Sequence, residues 1–142
     1  MTVSGGTWID SYDNRVGVWQ LGTTGTMDIV IPNAPVDPNR NKKVWLQLTW
    51  DATLARPVLS VDGFAGTLVN EETIGGTSSW LHSTWSFTLP TNPASETVFI
   101  SGNVNVDEVV VDTVCAVPEP TSILAMLTGV VGLAGLSWKK RC

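Results

Sequence analysis

The run Val44-Trp45-Leu46-Gln47-Leu48-Thr49-Trp50-Asp51 decides the fold class. Val44, Leu46, Leu48 and Trp50 recur at every second position, which an extended strand turns to one face; Trp45, Gln47, Thr49 and Asp51 turn to the other. The first set is a core stripe. The second mixes an aromatic ring with polar groups, as a solvent-facing or sugar-facing surface does. The same period of two, punctuated by Gly, Asn, Pro and Asp clusters, runs from Trp8 to Cys115. It predicts strands at Gly17 to Leu21, Met27 to Ile31, Lys43 to Asp51, Pro57 to Val61, Gly66 to Asn70, Thr84 to Leu89, Thr97 to Gly102 and Val104 to Val114. No window before Pro118 carries an amphipathic helical stripe of useful length. Strands at this spacing, with no helix between them, predict an all-β domain, an antiparallel β-sandwich or jelly roll.

The segment from Asn33 to Asn41 is dense in turn formers and predicts an exposed loop. Arg40, Lys42 and Lys43 form the one basic cluster outside the tail. They are expected to be solvated there, neutralising a nearby acidic edge. The strand from Val104 to Val114 is apolar on both faces near Val109 to Val111, which predicts a central place in a sheet. This strand, with an acidic pair before a valine run, resembles the closing strand of jelly-roll carbohydrate-binding modules. The resemblance implies a structural calcium near Asp107, Glu108 and Asp112. Calcium takes about six to eight oxygen ligands and no second cluster matches, so strand-end solubilising charges are the favoured reading.

Six of the seven tryptophans precede residue 117: Trp8, Trp19, Trp45, Trp50, Trp80 and Trp85. Tryptophan stacks on the apolar faces of sugars and also fills small cores. Trp50 and Trp85 are assigned to the core, and Trp45 and Trp80 are the exposed candidates for polysaccharide binding. Catalytic signals are sparse. His82 is the one histidine, so a Ser-His-Asp triad would have to use it with Ser79 or Ser83; a plain polar residue in the Gly75 to Ser83 loop is the favoured reading. Histidine or cysteine metal sites are excluded by numbers, and no cofactor is predicted. The pairs Glu71 with Glu72 and Asp107 with Glu108 serve glycoside hydrolysis only at the required separation, and neighbours in a strand face opposite ways. The expectation is a non-enzymatic domain; an envelope glycan hydrolase using a carboxylate pair is the alternative.

Residues 1 to 116 carry five Lys or Arg against twelve Asp or Glu, a net charge of −7. Such a surface repels phosphate backbones, so no nucleic-acid partner is expected. The size is that of a single domain.

Residues 117 to 142, VPEPTSILAMLTGVVGLAGLSWKKRC, are of another kind. Pro118, Glu119 and Pro120 interrupt any helix. Thr121 to Trp138 holds eighteen residues without a charge, which at helical rise spans about 27 Å, close to a bilayer's hydrocarbon thickness. Trp138 belongs at the headgroup level, and Lys139, Lys140 and Arg141 on the cytoplasmic side. The reading is a transmembrane helix over 121–138, with the β domain outside. A proline-flanked glutamate, a short span and a terminal basic cluster, in that order, closely resemble the PEP-CTERM sorting signal of exopolysaccharide-producing Gram-negative bacteria. The resemblance implies that exosortase, a membrane-embedded cysteine transpeptidase, recognises Pro118, Glu119 and Pro120. It also implies that Lys139 to Arg141 retain the precursor in the inner membrane, until the span is removed and the protein passes to the cell surface or matrix. An ordinary membrane anchor with a stiff Pro-Glu-Pro linker is the competing reading.

Cys115 and Cys142 fall on opposite sides of that span, so no disulfide between them is expected. Cys115 reads as a free thiol, an intermolecular link or, in preference, a small buried hydrophobe. The first residues lack the basic and apolar regions of a secretory signal. The span itself directs insertion, or the true start lies upstream; the second is favoured, because strand-like material begins at once with Thr7, Trp8 and Ile9. An unpaired sheet edge is then expected.

Overall fold

The computed structural model describes residues 1–33, 36–75 and 79–116. Among them the chain forms strands β1 (Thr2–Ser4), β2 (Thr7–Tyr12), β3 (Arg15–Gln20), β4 (Thr26–Pro32), β5 (Asn41–Asp51), β6 (Val58–Val61), β7 (Phe64–Ala65), β8 (Thr67–Thr73), β9 (Trp80–Leu89), β10 (Ser95–Ser101) and β11 (Asn105–Ala116), and no helix. They build two antiparallel sheets, one in the order β1-β4-β10-β6-β7 and the other in the order β2-β3-β11-β5-β9-β8. The all-β expectation holds. The predicted transmembrane helix over 121–138 lies outside the described residues.

The alternation in β5 does what its pattern demands. Val44, Leu46 and Leu48 are fully buried and Trp50 nearly so. With Phe87 and Leu89 of β9 and Val106 of β11 they meet Met27, Val61, Val98 and Ile100 of the other sheet in one apolar cluster. Each such side chain contributes roughly 1.5–3 kcal/mol relative to exposure. β11 runs between β3 and β5, the central position that its two apolar faces predict. Trp50 and Trp85 are in the core as expected.

Turn chemistry sets two hairpins. β2 and β3 are joined by Asp13 and Asn14, both at positive φ, and β6 and β7 by Asp62 and Gly63, also both positive. That two-residue geometry matches the twist of the flanking strands, and Asp, Asn and Gly tolerate it best. At Gly66 the chain leaves one sheet, after β7, and enters the other as β8. A Cβ there would lie 2.5 Å from Cε1 of Phe87, so only glycine lets the backbone make this crossing against the ring.

Several expectations are corrected. Lys42 is in β5, not a solvated loop, and is 1% exposed. It is in phase with Val44 and Leu46, so it points inward, where it pairs with Glu96 at 2.5 Å. Only Lys43 and Arg40 are exposed, Arg40 pairing with Asp37 at 3.0 Å. His82 lies in β9, which begins at Trp80, rather than in a loop. Cys115 is exposed near the end of β11, not buried. β1 and β7, of three and two residues, are too short to leave a period-two signal.

Candidate functional site

Residues directly opposite in an antiparallel pair share a face, so register maps the outer face of the larger sheet. On β5 it carries Trp45, Gln47, Thr49 and Asp51; opposite them on β9 stand Ser86, Thr84, His82 and Trp80. On β11 Asp112 faces Trp45, Val110 faces Gln47 and Glu108 faces Thr49. On β8 Thr67 faces Ser86 and Glu72 faces His82.

One end of this face is covered. Trp80, expected to be exposed, is 1% exposed. Its indole Nε1 donates to Asp13 Oδ2 at 2.9 Å, Tyr12 packs edge-on against its ring, and the Arg15 guanidinium lies 5.3 Å from the ring centre. The β2–β3 hairpin therefore closes over it, a long-range contact with no trace in local sequence. Asp51, beneath the same hairpin, accepts from the Thr53 amide at 2.9 Å, the Thr53 hydroxyl at 2.7 Å, Tyr12 Oη at 3.1 Å and Asn105 Nδ2 at 3.3 Å. Burial works to raise its carboxyl, but those four donors outweigh burial and hold it below the ordinary carboxylate range. Burial first, then the Asp51 carboxylate, push the Tyr12 phenol up.

The other end is open. Trp45 is half-buried on a central strand, flanked by half-buried Ser86 and exposed Asp112, with exposed Thr67 one strand further. Gln47 Nε2 reaches Asp112 Oδ2 at 3.5 Å. An indole among hydroxyl, amide and carboxylate groups offers an apolar platform edged with hydrogen-bonding groups. Trp8 was not singled out by sequence, yet it is 49% exposed, edge-on to Trp19 at 5.2 Å and laid over Gly17. The signal was there in the strand-like Thr7 to Ile9, but its register was not.

The groups weighed for catalysis have other partners. His82 Nδ1 is 3.0 Å from Thr49 Oγ1. Ser83, buried on the opposite face, donates to Glu71 Oε2 at 2.8 Å, and Ser79 donates to Asp13. Glu71 is also held by Arg56 at 2.8 Å; burial raises its carboxyl, and the Arg56 and Ser83 contacts more than reverse that. Of the calcium candidates, Asp107 is bound to Arg15 at 3.0 Å, while Glu108 and Asp112 are exposed and face different partners along β11. Among the described residues no three metal-ligating side chains converge.

Pro118, Glu119, Pro120, Lys139, Lys140 and Arg141 lie outside the described residues. Residues 116–141 match the family model described as the PEP-CTERM protein-sorting motif. The chain carries a PEP-CTERM sorting motif. Such a motif implies an exported protein, processed by exosortase from a membrane-anchored precursor. The PEP-CTERM match begins where β11 ends, so the motif follows the β domain without a spacer. Comparison with curated proteins and with solved structures finds no match to the chain.

Proposed function

We propose that this chain is a non-enzymatic cell-envelope or extracellular-matrix protein. Exosortase releases it from a single inner-membrane span over 121–138, and its domain binds exopolysaccharide through the open face around Trp45. The sorting half is supported by the motif at the C-terminus. The binding half is supported by one observation: Trp45 remains accessible on a central strand, amid Ser86, Thr67, Gln47 and Asp112, while the other aromatic of that face is covered. Stacking of a pyranose on an indole with polar groups at its rim is the recognition such an arrangement supports.

The domain reads as a jelly roll. Strands β3, β11, β5 and β9 stand side by side in one sheet and β4, β10, β6 and β7 in the other, so from β3 to β11 the chain passes between the layers at every connection but the β6–β7 and β8–β9 hairpins, as two Greek keys allow. β1, β2 and β8 extend the edges. The fold hosts binding modules and much else, so the open face around Trp45, and not the topology, points to the ligand.

Sorting is tested by fusing residues 117–142 to an exported reporter in strains with and without exosortase. Cleavage only where exosortase is present is expected; identical processing in both strains overturns it. Binding is tested by titrating the protein with extracted exopolysaccharide while following tryptophan emission. Saturable quenching is expected, with a midpoint that Trp45→Ala moves several-fold to higher polysaccharide; an unmoved midpoint overturns the binding reading. Release of shorter sugars during the titration would instead favour the glycan hydrolase.

A further inference from the structure

Three polar side chains occupy positions where sheet alternation puts apolar ones. On β5 the inward row Trp50, Leu48, Leu46, Val44 continues to Lys42; on β10 the inward row Ile100, Val98 continues to Glu96. Lys42 and Glu96 are 1% and 0% exposed. Asn33, just past β4, joins them: its Oδ1 accepts from Lys42 Nζ and its Nδ2 donates to Glu96 Oε2. Lys42 Nζ lies 2.5 Å from Glu96 Oε1. A buried charged pair is weak evidence for stability, since apolar residues of like volume often serve better. Departures from pattern of this kind concentrate at functional positions.

We propose that Lys42 and Asn33 form an intramolecular isopeptide bond, with Glu96 as the proton shuttle, stapling one sheet to the other. The geometry carries the proposal. Contact with Oδ1 sets the amine beside Cγ of Asn33, the carbon to be attacked. One carboxyl group touches both the nucleophile, through Oε1, and the leaving nitrogen, through Oε2. Asn33 is clamped by its amide donating to the Ala94 carbonyl at 2.8 Å and by Nδ2 donating to the Pro93 carbonyl at 2.9 Å. Lysine is an effective nucleophile once it sheds its proton in a water-excluded site.

The chemistry balances with the groups present. Lys42 passes a proton to Glu96, and the Nζ lone pair then forms the Nζ–Cγ bond. The tetrahedral intermediate breaks the Cγ–Nδ2 bond as Glu96 delivers a proton to Nδ2 and takes one from Nζ. Ammonia departs, carrying off the remaining proton as ammonium. An amine and a carboxamide become one amide, nothing is oxidised or reduced, and no co-reactant enters. The one described cysteine is not in a disulfide, so an exported domain of this size has no covalent staple of the usual kind among its described residues.

Intact-mass spectrometry of the full chain purified in detergent tests this. The expected mass falls below that of the sequence by one ammonia, about 17 Da. A digest should contain one branched peptide joining Lys42 to Asn33, with no tryptic cut after Lys42. Glu96→Gln should restore the full mass while keeping the wild-type circular dichroism. Asn33→Asp should lose water instead, about 18 Da. A folded wild-type chain of full mass overturns the proposal whatever the variants do. So does a loss of ammonia without the branched peptide, as a succinimide at Asn33 would give. A mass deficit that persists in Glu96→Gln removes Glu96 from the reaction.

Discussion

At the scale of single residues, the open and the covered end of the outer face of β5 make opposite predictions. Trp45 contributes to a surface, so Trp45→Ala should weaken polysaccharide binding several-fold, about 1 kcal/mol, and leave the melting temperature within a few degrees. Fluorescence titration and a thermal melt on the same samples check both halves. Asp51 holds four hydrogen bonds, and Asp51→Ala should cost roughly 1–3 kcal/mol by stranding Tyr12, Thr53 and Asn105. The pH dependence follows from the direction of its shift. A carboxyl held lower in the folded chain than in the unfolded one stabilises the fold above the unfolded value, near 4, and that stability is lost as pH falls through the folded value. Glu71, shifted the same way, adds to the effect. Melting temperature should therefore drop below about pH 4, and drop less in Asp51→Asn measured against its own value at neutral pH.

At the scale of elements, β5 and the Gly66 crossing hold the layers together. Leu48→Ala empties a fully buried site and should cost about 2–5 kcal/mol. Val110→Ala, on the outer face of β11 and 37% exposed, should stay within about 0.5 kcal/mol; paired urea titrations decide it. Gly66→Val drives a branched side chain into Phe87 and should cost at least about 1–3 kcal/mol, read as a lower urea midpoint. Strand positions were legible because each core strand is buried on one side, which imposes period two. Boundaries slipped where that reason fails. Lys42 keeps the phase of β5 but breaks its polarity, and turn formers before it suggested a loop. His82 and Trp80 extend β9 beyond its apolar half, where a hydrophobic pattern has nothing to mark.

Across the whole molecule, the chain divides into an acidic β domain and a tail that carries its address. Glu119→Ala should leave the precursor uncleaved in the membrane fraction. Immunoblotting of membrane and medium fractions checks this, with an unchanged released form counting against the sorting reading. The sequence by itself determined the all-β class, the core row of β5, the central place of β11 and the sorting motif. Each of these is written in neighbouring residues, as a period, a composition or an ordered set of parts. Only the tertiary structure decided that Trp80 is covered by a hairpin nearly seventy residues earlier in the chain, with Asp13 bonded across that gap. It alone brought Lys42, Asn33 and Glu96 together from three strands and loops of two sheets. Burial and partnership depend on which distant segments pack against a residue, and that is settled by the closing of the whole core.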